Sequence, residues 1–184
     1  MKKILLSAFA VIGFSIAANA QNASATATQS VSLDLSNAIA ITFTGSGTNT
    51  GGAVTLPFST VADYANGVTS TAQQLKVQSN LAFDVAVKSN ATNFTYTGSY
   101  TTGTTMPVSG VLKLMVTANS TGGSVASPFS TSSYATLTDA DQDLITSGTY
   151  GSNQLFSVQY QATPGFAYPA GTYTTSVVYT ATQQ

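Results

Sequence analysis

The chain has 184 residues and a formal net charge of −1, with 5 lysines, 6 aspartates and no arginine, glutamate, histidine, tryptophan or cysteine. So few basic residues cannot neutralise a phosphate backbone, and we predict that the protein does not bind nucleic acid. Without histidine or cysteine it lacks the usual general base near neutral pH and a thiolate nucleophile, so we predict no catalytic residue, no cofactor and no enzymatic activity.

Residues 1–20 have the three parts of a secretory signal peptide. Lys2 and Lys3 form a basic start, an apolar stretch follows, and the small residues Ala-Asn-Ala precede Gln21. This order predicts cleavage before Gln21, and the apolar stretch is too short to span a membrane. We therefore expect a secreted protein in the periplasm, on the outer cell surface or outside the cell, with no membrane association after cleavage.

The remaining chain divides into a leader and one domain. Residues 21–28, QNASATAT, are small and polar and predict a flexible leader. Residues 29–184 predict a single domain, because 184 − 20 = 164 residues after cleavage is a usual domain size. A disulfide cannot form, so packing and sheet hydrogen bonds must hold this domain together.

Alternate positions are apolar at the start of the predicted domain. Val31, Leu33 and Leu35 are followed, after Ser36-Asn37, by Ile39, Ile41 and Phe43. A period of two indicates a strand with one buried face. The polar interruption predicts a bulge or a bend where the strand changes sheet.

Residues 75–87 have the pattern of a β-hairpin. Apolar residues alternate on both sides of a predicted turn at Ser79-Asn80. Lys76 and Asp84 both lie on the polar face of the predicted hairpin, one on each strand, so we expect them to face each other across it.

Three aspartates at alternate positions, Asp139, Asp141 and Asp143, allow two interpretations. Thr138 and Asp141 form a capping-box pattern and Gly148 a stop signal, which predicts a short helix near 138–147. The acids would then favour the positive end of the helix dipole. They also resemble the first half of a calcium loop, but Leu144 and Tyr150 stand where the turn glycine and the bidentate glutamate belong, so a weak metal site is the less favoured interpretation.

The later part of the chain contains further alternating stretches. One includes Leu112, Leu114 and Val116, another Phe156, Val158 and Tyr160, and the terminal one Gly171, Tyr173, Val177 and Tyr179. With about seven to nine strands joined by short Gly/Ser/Thr loops, the pattern predicts an all-β, immunoglobulin-like antiparallel β-sandwich.

The tyrosines allow a binding role. Those in or near predicted loops are Tyr64, Tyr96, Tyr100, Tyr134, Tyr150 and Tyr168. Exposed rings can stack on a sugar, although plain packing is the favoured interpretation for any one of them. Tyr160, Tyr173 and Tyr179 lie on strand faces and are predicted to be core residues.

Two stretches resemble known surface proteins. SVSLDLSNAIAITF and YPAGTYTTSVVYTAT are similar to parts of the spore coat protein U type subunits of archaic chaperone–usher fibres and of WxL-like surface domains. The shared feature is a Gly-x-Tyr strand that closes the domain, here Gly171, Thr172 and Tyr173. The chain departs from these families in having no disulfide, no Trp motif, and glutamines at 183 and 184.

The resemblance implies association by strand addition with further copies or with other surface proteins. The donated segment would be residues 25–35, with Val31, Leu33 and Leu35 filling pockets in the acceptor. The alternative, which the continuity with Phe43 favours, is that this segment is simply the first strand of a complete monomeric sandwich.

The expected function is that of a secreted, non-enzymatic cell-surface or extracellular structural protein, namely a fibre, pilus-like or adhesion subunit. The alternative is a carbohydrate- or cell-wall-binding module that recognises a polysaccharide through its loop tyrosines.

Overall fold

The computed structural model describes residues 25–45 and 51–184, and the predicted signal peptide lies outside this range. The described residues form twelve strands and one short helix, which confirms the predicted all-β class. The elements are β1 (Ile39–Phe43), α1 (Val61–Asn66), β2 (Val68–Thr69), β3 (Gln73–Ser79), β4 (Phe83–Ser89), β5 (Thr95–Thr97), β6 (Leu112–Ser120), β7 (Ser124–Val125), β8 (Ala135–Thr136), β9 (Gln142–Gly148), β10 (Gly151–Ala162), β11 (Thr172–Thr174) and β12 (Val177–Gln183). No helix among these residues is long and apolar enough to cross a membrane.

The strands form an antiparallel sandwich within the compact unit Ser36–Gln184. One sheet has the order β1-β3-β10-β6-β8, with β2 also pairing with β10, and the other has the order β12-β4-β9-β7. The order β1-β3-β10-β6 matches strands A-B-E-D of an immunoglobulin domain, and β4 and β12 take the places of C and F. A separate two-stranded sheet joins β5 to β11. The strands outnumber the predicted seven to nine because five of them have only two or three residues.

The core lies between the two sheets and is built from the inward positions of the long strands. Burial alternates along β3 and β4, as a period-two pattern requires. Each large aliphatic or aromatic side chain removed from water contributes about 1.5–3 kcal/mol. Residues with 1% exposure or less include Leu75, Val77, Phe83, Val85, Val87, Leu114, Val116, Leu144, Ile145, Phe156 and Val158.

The predicted hairpin of residues 75–87 is wrong, because its two strands belong to different sheets. β3 pairs with β1 and β10, whereas β4 pairs with β12 and β9. Because the chain crosses from one sheet to the other between β3 and β4, the apolar faces of these two strands lie opposite each other, and the apolar side chains on both faces are buried. Lys76 and Asp84 therefore do not face each other, and Asp84 instead accepts hydrogen bonds from Ser147 N and Gln184 Nε2, both at 2.8 Å.

The helix predicted near 138–147 is also wrong, because residues 142–148 form strand β9. Leu144 and Ile145 are both fully buried between β4 and β7, and a register irregularity in the ladder with β4 accommodates two consecutive inward residues. Pairing on both sides provides backbone hydrogen bonds and burial that outweigh a local cap signal.

The helix lies earlier in the chain, at α1. Thr60 caps it, since its hydroxyl accepts from Asp63 N while the Asp63 carboxylate accepts from Thr60 N at 2.7 Å. The adjacent Ser59 N donates to the same carboxylate at 2.8 Å. These backbone donors, then the Thr60 hydroxyl, lower the pKa of Asp63. Gly67 ends the helix with a φ of 82°, a conformation that glycine adopts without strain.

The terminal strand is divided into two. Side chains alternate between half-buried and exposed from Tyr173 to Gln183, as predicted. However, β11 pairs with β5 and β12 pairs with β4. Between them Asn90 Oδ1 accepts from Ser176 N at 2.9 Å and from Thr175 Oγ1 at 3.1 Å. This side chain therefore stabilises the point where the chain passes from one sheet to the other.

Candidate functional site

A groove of about 740 Å³ opens into the compact unit. Its lining comes from residues 51–58, from residues 168–177 and from inward side chains that include Gln73 and Tyr160. None of the described lining residues carries a charge. The groove is therefore a neutral, mainly apolar site that favours an uncharged occupant.

Two unpaired strand edges lie close to the groove. In the part of the chain that the structure describes, β1 pairs with β3 alone and β12 with β4 alone. The two strands approach each other where the rings of Phe43 and Tyr179 meet edge to face, with centroids 6.0 Å apart. At the other end of β1, Gln183 Nε2 donates to Ala38 O at 2.9 Å. Each outer edge offers backbone donors and acceptors to an added strand.

A tyrosine pair joins the two sheets beside the groove. Tyr160 on β10 and Tyr179 on β12 share a hydrogen bond of 2.7 Å between their hydroxyl oxygens. Burial raises the pKa of Tyr160 to about 12, and burial, followed by the neighbouring Tyr160, raises the pKa of Tyr179 well above 10. Both hydroxyl groups therefore stay neutral near neutral pH, and the hydrogen bond between them joins β10 to β12.

Gln73 presents an unsatisfied acceptor in the groove. Its side chain is 1% exposed, and its Nε2 donates to Thr71 O at 3.4 Å and Thr71 Oγ1 at 3.3 Å. Its Oε1 has no hydrogen-bond partner, and among the described residues no other buried side-chain nitrogen or oxygen is in this state. Sequence reasoning missed this residue, because an inward Gln on a strand has no distinguishing local pattern.

Aromatic rings beside the groove form two sets of contacts, which we together call the aromatic cluster. In the first set, Tyr64 stacks on Phe166, with ring centroids 5.4 Å apart and an interplanar angle of 23°, and also contacts Phe58. In the second, the ring centroid of Tyr173 lies 5.0 Å from that of Tyr96 and 6.4 Å from that of Tyr168. Three of the six predicted loop tyrosines, Tyr64, Tyr96 and Tyr168, take part in these contacts. Phe166, which the sequence analysis did not select, is 68% exposed.

The other loop tyrosines take no part in these ring contacts. Tyr100 and Tyr150 are exposed, and the Tyr134 hydroxyl donates to Gln159 Oε1 at 2.8 Å. Of the predicted core tyrosines, Tyr160 is buried, while Tyr179 and Tyr173 are half-buried.

The predicted terminal-strand residues line the groove or lie next to it. Gly171, Tyr173 and Val177 are lining residues, and Tyr179 contacts Phe43. A Cβ at Gly171 would overlap the Tyr96 ring, so only glycine allows this close approach. The Gly-x-Tyr sequence therefore packs the aromatic cluster.

The predicted partner-strand residues are exposed. Val31 is 77%, Leu33 78% and Leu35 85% exposed, and none of them belongs to a strand. The single strand predicted from Val31 to Phe43 is therefore wrong, since only its second half forms β1. Asn80 explains the break, because its side chain donates to Ser36 O and accepts from Ala38 N, both at 2.9 Å.

The three aspartates do not converge. Asp139 accepts from the Thr92 hydroxyl at 2.7 Å, Asp141 pairs with Lys88 at 3.1 Å, and Asp143 is an exposed residue of β9. Within the described ranges no group of three acidic side chains could hold a metal ion. Because residues 142–148 form a strand, the interpretation of these acids as a helix start is wrong as well.

The chain matches no protein-family model, and a search of curated proteins finds no significant similarity.

Proposed function

We propose that the protein is a secreted, non-enzymatic structural subunit of the cell surface or extracellular space that assembles with further copies of itself by strand addition. Residues 25–35 of one copy would lie in the groove of the next and pair with an unpaired edge. One observation carries this proposal: the chain exposes an alternating apolar segment and also has a neutral apolar groove beside two free strand edges.

The energetics favour such an arrangement. Burial of Val31, Leu33 and Leu35 would contribute about 1.5–3 kcal/mol each, and the added strand would gain backbone hydrogen bonds along the edge. Left in water, the same three side chains contribute nothing and favour aggregation.

The proposal can be tested with a charge placed on either face of the segment. Leu33→Asp puts a carboxylate on the apolar face, whereas Ser32→Asp puts the same charge on the opposite face. We expect sedimentation velocity of the purified chains to show assemblies for the natural chain and for Ser32→Asp, and a monomer for Leu33→Asp. A monomeric natural chain, or unchanged assembly of Leu33→Asp, would contradict the proposal.

A second function, polysaccharide binding, is supported by the exposed Phe166 ring stacked on Tyr64. Such a platform suits the apolar face of a sugar ring. Co-sedimentation with insoluble peptidoglycan and chitin tests it, with Phe166→Ala against Tyr150→Ala, whose ring is 71% exposed outside the cluster. Binding that is lost only with Phe166→Ala supports this function, and equal retention by both variants argues against it.

A further inference from the structure

Gln73 marks one defined point along the groove. Phe43, the last residue of β1, pairs with Leu75, and Thr44 N donates to Gln74 O at 2.9 Å. Gln73 follows directly beyond this paired stretch, with its side chain turned inward and almost fully buried. A buried acceptor without a donor is unfavourable, and in native proteins such groups are rare. Gln73 is among the residues that line the groove, so a group that enters the groove can supply the missing donor.

The exposed segment carries one side chain that fits this requirement. Its apolar face consists of Ala25, Ala27, Gln29, Val31, Leu33 and Leu35. Gln29 alone on this face has a hydrogen-bond donor, since the other five side chains are aliphatic. The apolar face of the segment thus has one hydrogen-bond donor, the Gln29 side chain, and the groove has one unsatisfied acceptor, Gln73 Oε1.

Charge is consistent with the same pairing. The described lining of the groove is uncharged, and the only charged residue of the segment, Asp34, lies on the opposite face from Gln29. When the apolar face enters the groove, Asp34 therefore stays in water.

We propose that Gln29 of one copy donates a hydrogen bond from Nε2 to Oε1 of Gln73 in the next copy, and that this contact sets the register of the added strand. The inference rests on the proposed function. A slip of one residue turns the apolar face outward, and a slip of two places Ala27 or Val31 against Gln73 and leaves its oxygen unsatisfied. The contact thus selects one register among several that the aliphatic residues alone allow.

The test uses the full chain with Leu33→Asp as acceptor, because this variant keeps the groove but disables its own segment. A fluorescent peptide of residues 25–35 is titrated against it and binding is followed by anisotropy. Peptides with Gln29 or Gln29→Met are combined with acceptors carrying Gln73 or Gln73→Met. The controls are Ser30→Ala in the peptide and Gln78→Met in the acceptor, since Gln78 is an exposed residue of the same strand.

The expected signature is recovery in the double variant. Gln29→Met weakens binding to the Gln73 acceptor by about tenfold, because the buried oxygen then stays unsatisfied. With Gln73→Met, the Gln29→Met peptide binds within about threefold of the natural pair, because replacing both partners by apolar groups of similar shape is nearly neutral. Both controls leave the affinity unchanged.

The two possible failures are distinct. If the natural peptide binds but Gln29→Met has the same effect with Gln73 and with Gln73→Met, the register is wrong and strand addition stands. If no peptide binds a folded Leu33→Asp acceptor, the groove does not take this segment and the proposed function fails with the inference. Thermal unfolding of Gln73→Met at or above the natural midpoint verifies that the acceptor remains folded.

Discussion

At the scale of single residues, the hydrogen bond between Tyr160 and Tyr179 links the two sheets at the side of the groove. Its members come from β10 in one sheet and β12 in the other, and they lie where Phe43 and Tyr179 bring the outer strands together. In a chain without disulfides, such a contact helps to fix the separation of the sheets.

This pair predicts a loss of stability at alkaline pH. In the folded protein the pKa of Tyr160 is about 12, against about 10 in the unfolded chain. Above pH 10 the unfolded chain therefore binds fewer protons, and the free energy of unfolding falls as the pH rises, by about 2 kcal/mol for this group at pH 12. Below pH 10 the contribution of Tyr160 to the free energy of unfolding is fully present.

Urea unfolding between pH 8 and 12 measures this dependence. The double variant Tyr160→Phe with Tyr179→Phe should show a shallower decline, while Tyr150→Phe, with an exposed ring, should follow the natural chain. An equal decline in all three would contradict the role given to the pair.

At the scale of secondary-structure elements, the cap of α1 is a local device with a measurable contribution. We expect Thr60→Ala to lower the free energy of unfolding by about 1 kcal/mol, because Asp63 N loses its acceptor and the helix has only six residues. Chemical denaturation measures the change. Thr60→Ser keeps the hydroxyl and should stay close to the natural value, so an equal loss in both variants would show that the cap contributes nothing.

The elements differ in how far the sequence predicts them. The alternation of apolar and polar residues from Tyr173 to Gln183 indicates a strand with one covered face. The structure shows this alternation of burial even where the chain changes sheet. β9 was missed because its local signals, Thr138 and Asp141, are those of a helix cap. What decides its conformation is pairing with β4 and β7, which are distant in sequence.

The candidate site was predictable only in part. The apolar face of residues 31–35 and the Gly171–Tyr173 sequence are visible as patterns. The alternation with Leu75 and Val77 assigns Gln73 to the inward face of β3 and Gln78 to the outward face, as the structure has them. Whether the buried Oε1 of Gln73 finds a donor depends on neighbours that are distant in sequence, so the unsatisfied acceptor could not be predicted.

At the scale of the whole molecule, stability depends on one core without covalent links. Phe83 lies at its centre with no exposure, and we expect Phe83→Ala to lower the free energy of unfolding by about 3–5 kcal/mol. Val61→Ala removes a side chain that is 75% exposed and should cost less than about 0.5 kcal/mol. Equal effects in urea denaturation would contradict the assignment of this core.

In the proposed assembly, residues 25–35 of one copy become a strand of another. Hydrogen exchange with mass spectrometry tests it most directly, on the Leu33→Asp chain with and without a peptide of residues 25–35. Strand addition predicts that backbone amides of β1 or β12, at the edges beside the groove, gain protection with the peptide, and that the same peptide with Leu33→Asp gives none. Unchanged exchange in both edge strands while the natural chain still assembles would contradict it, because assembly would then use another surface.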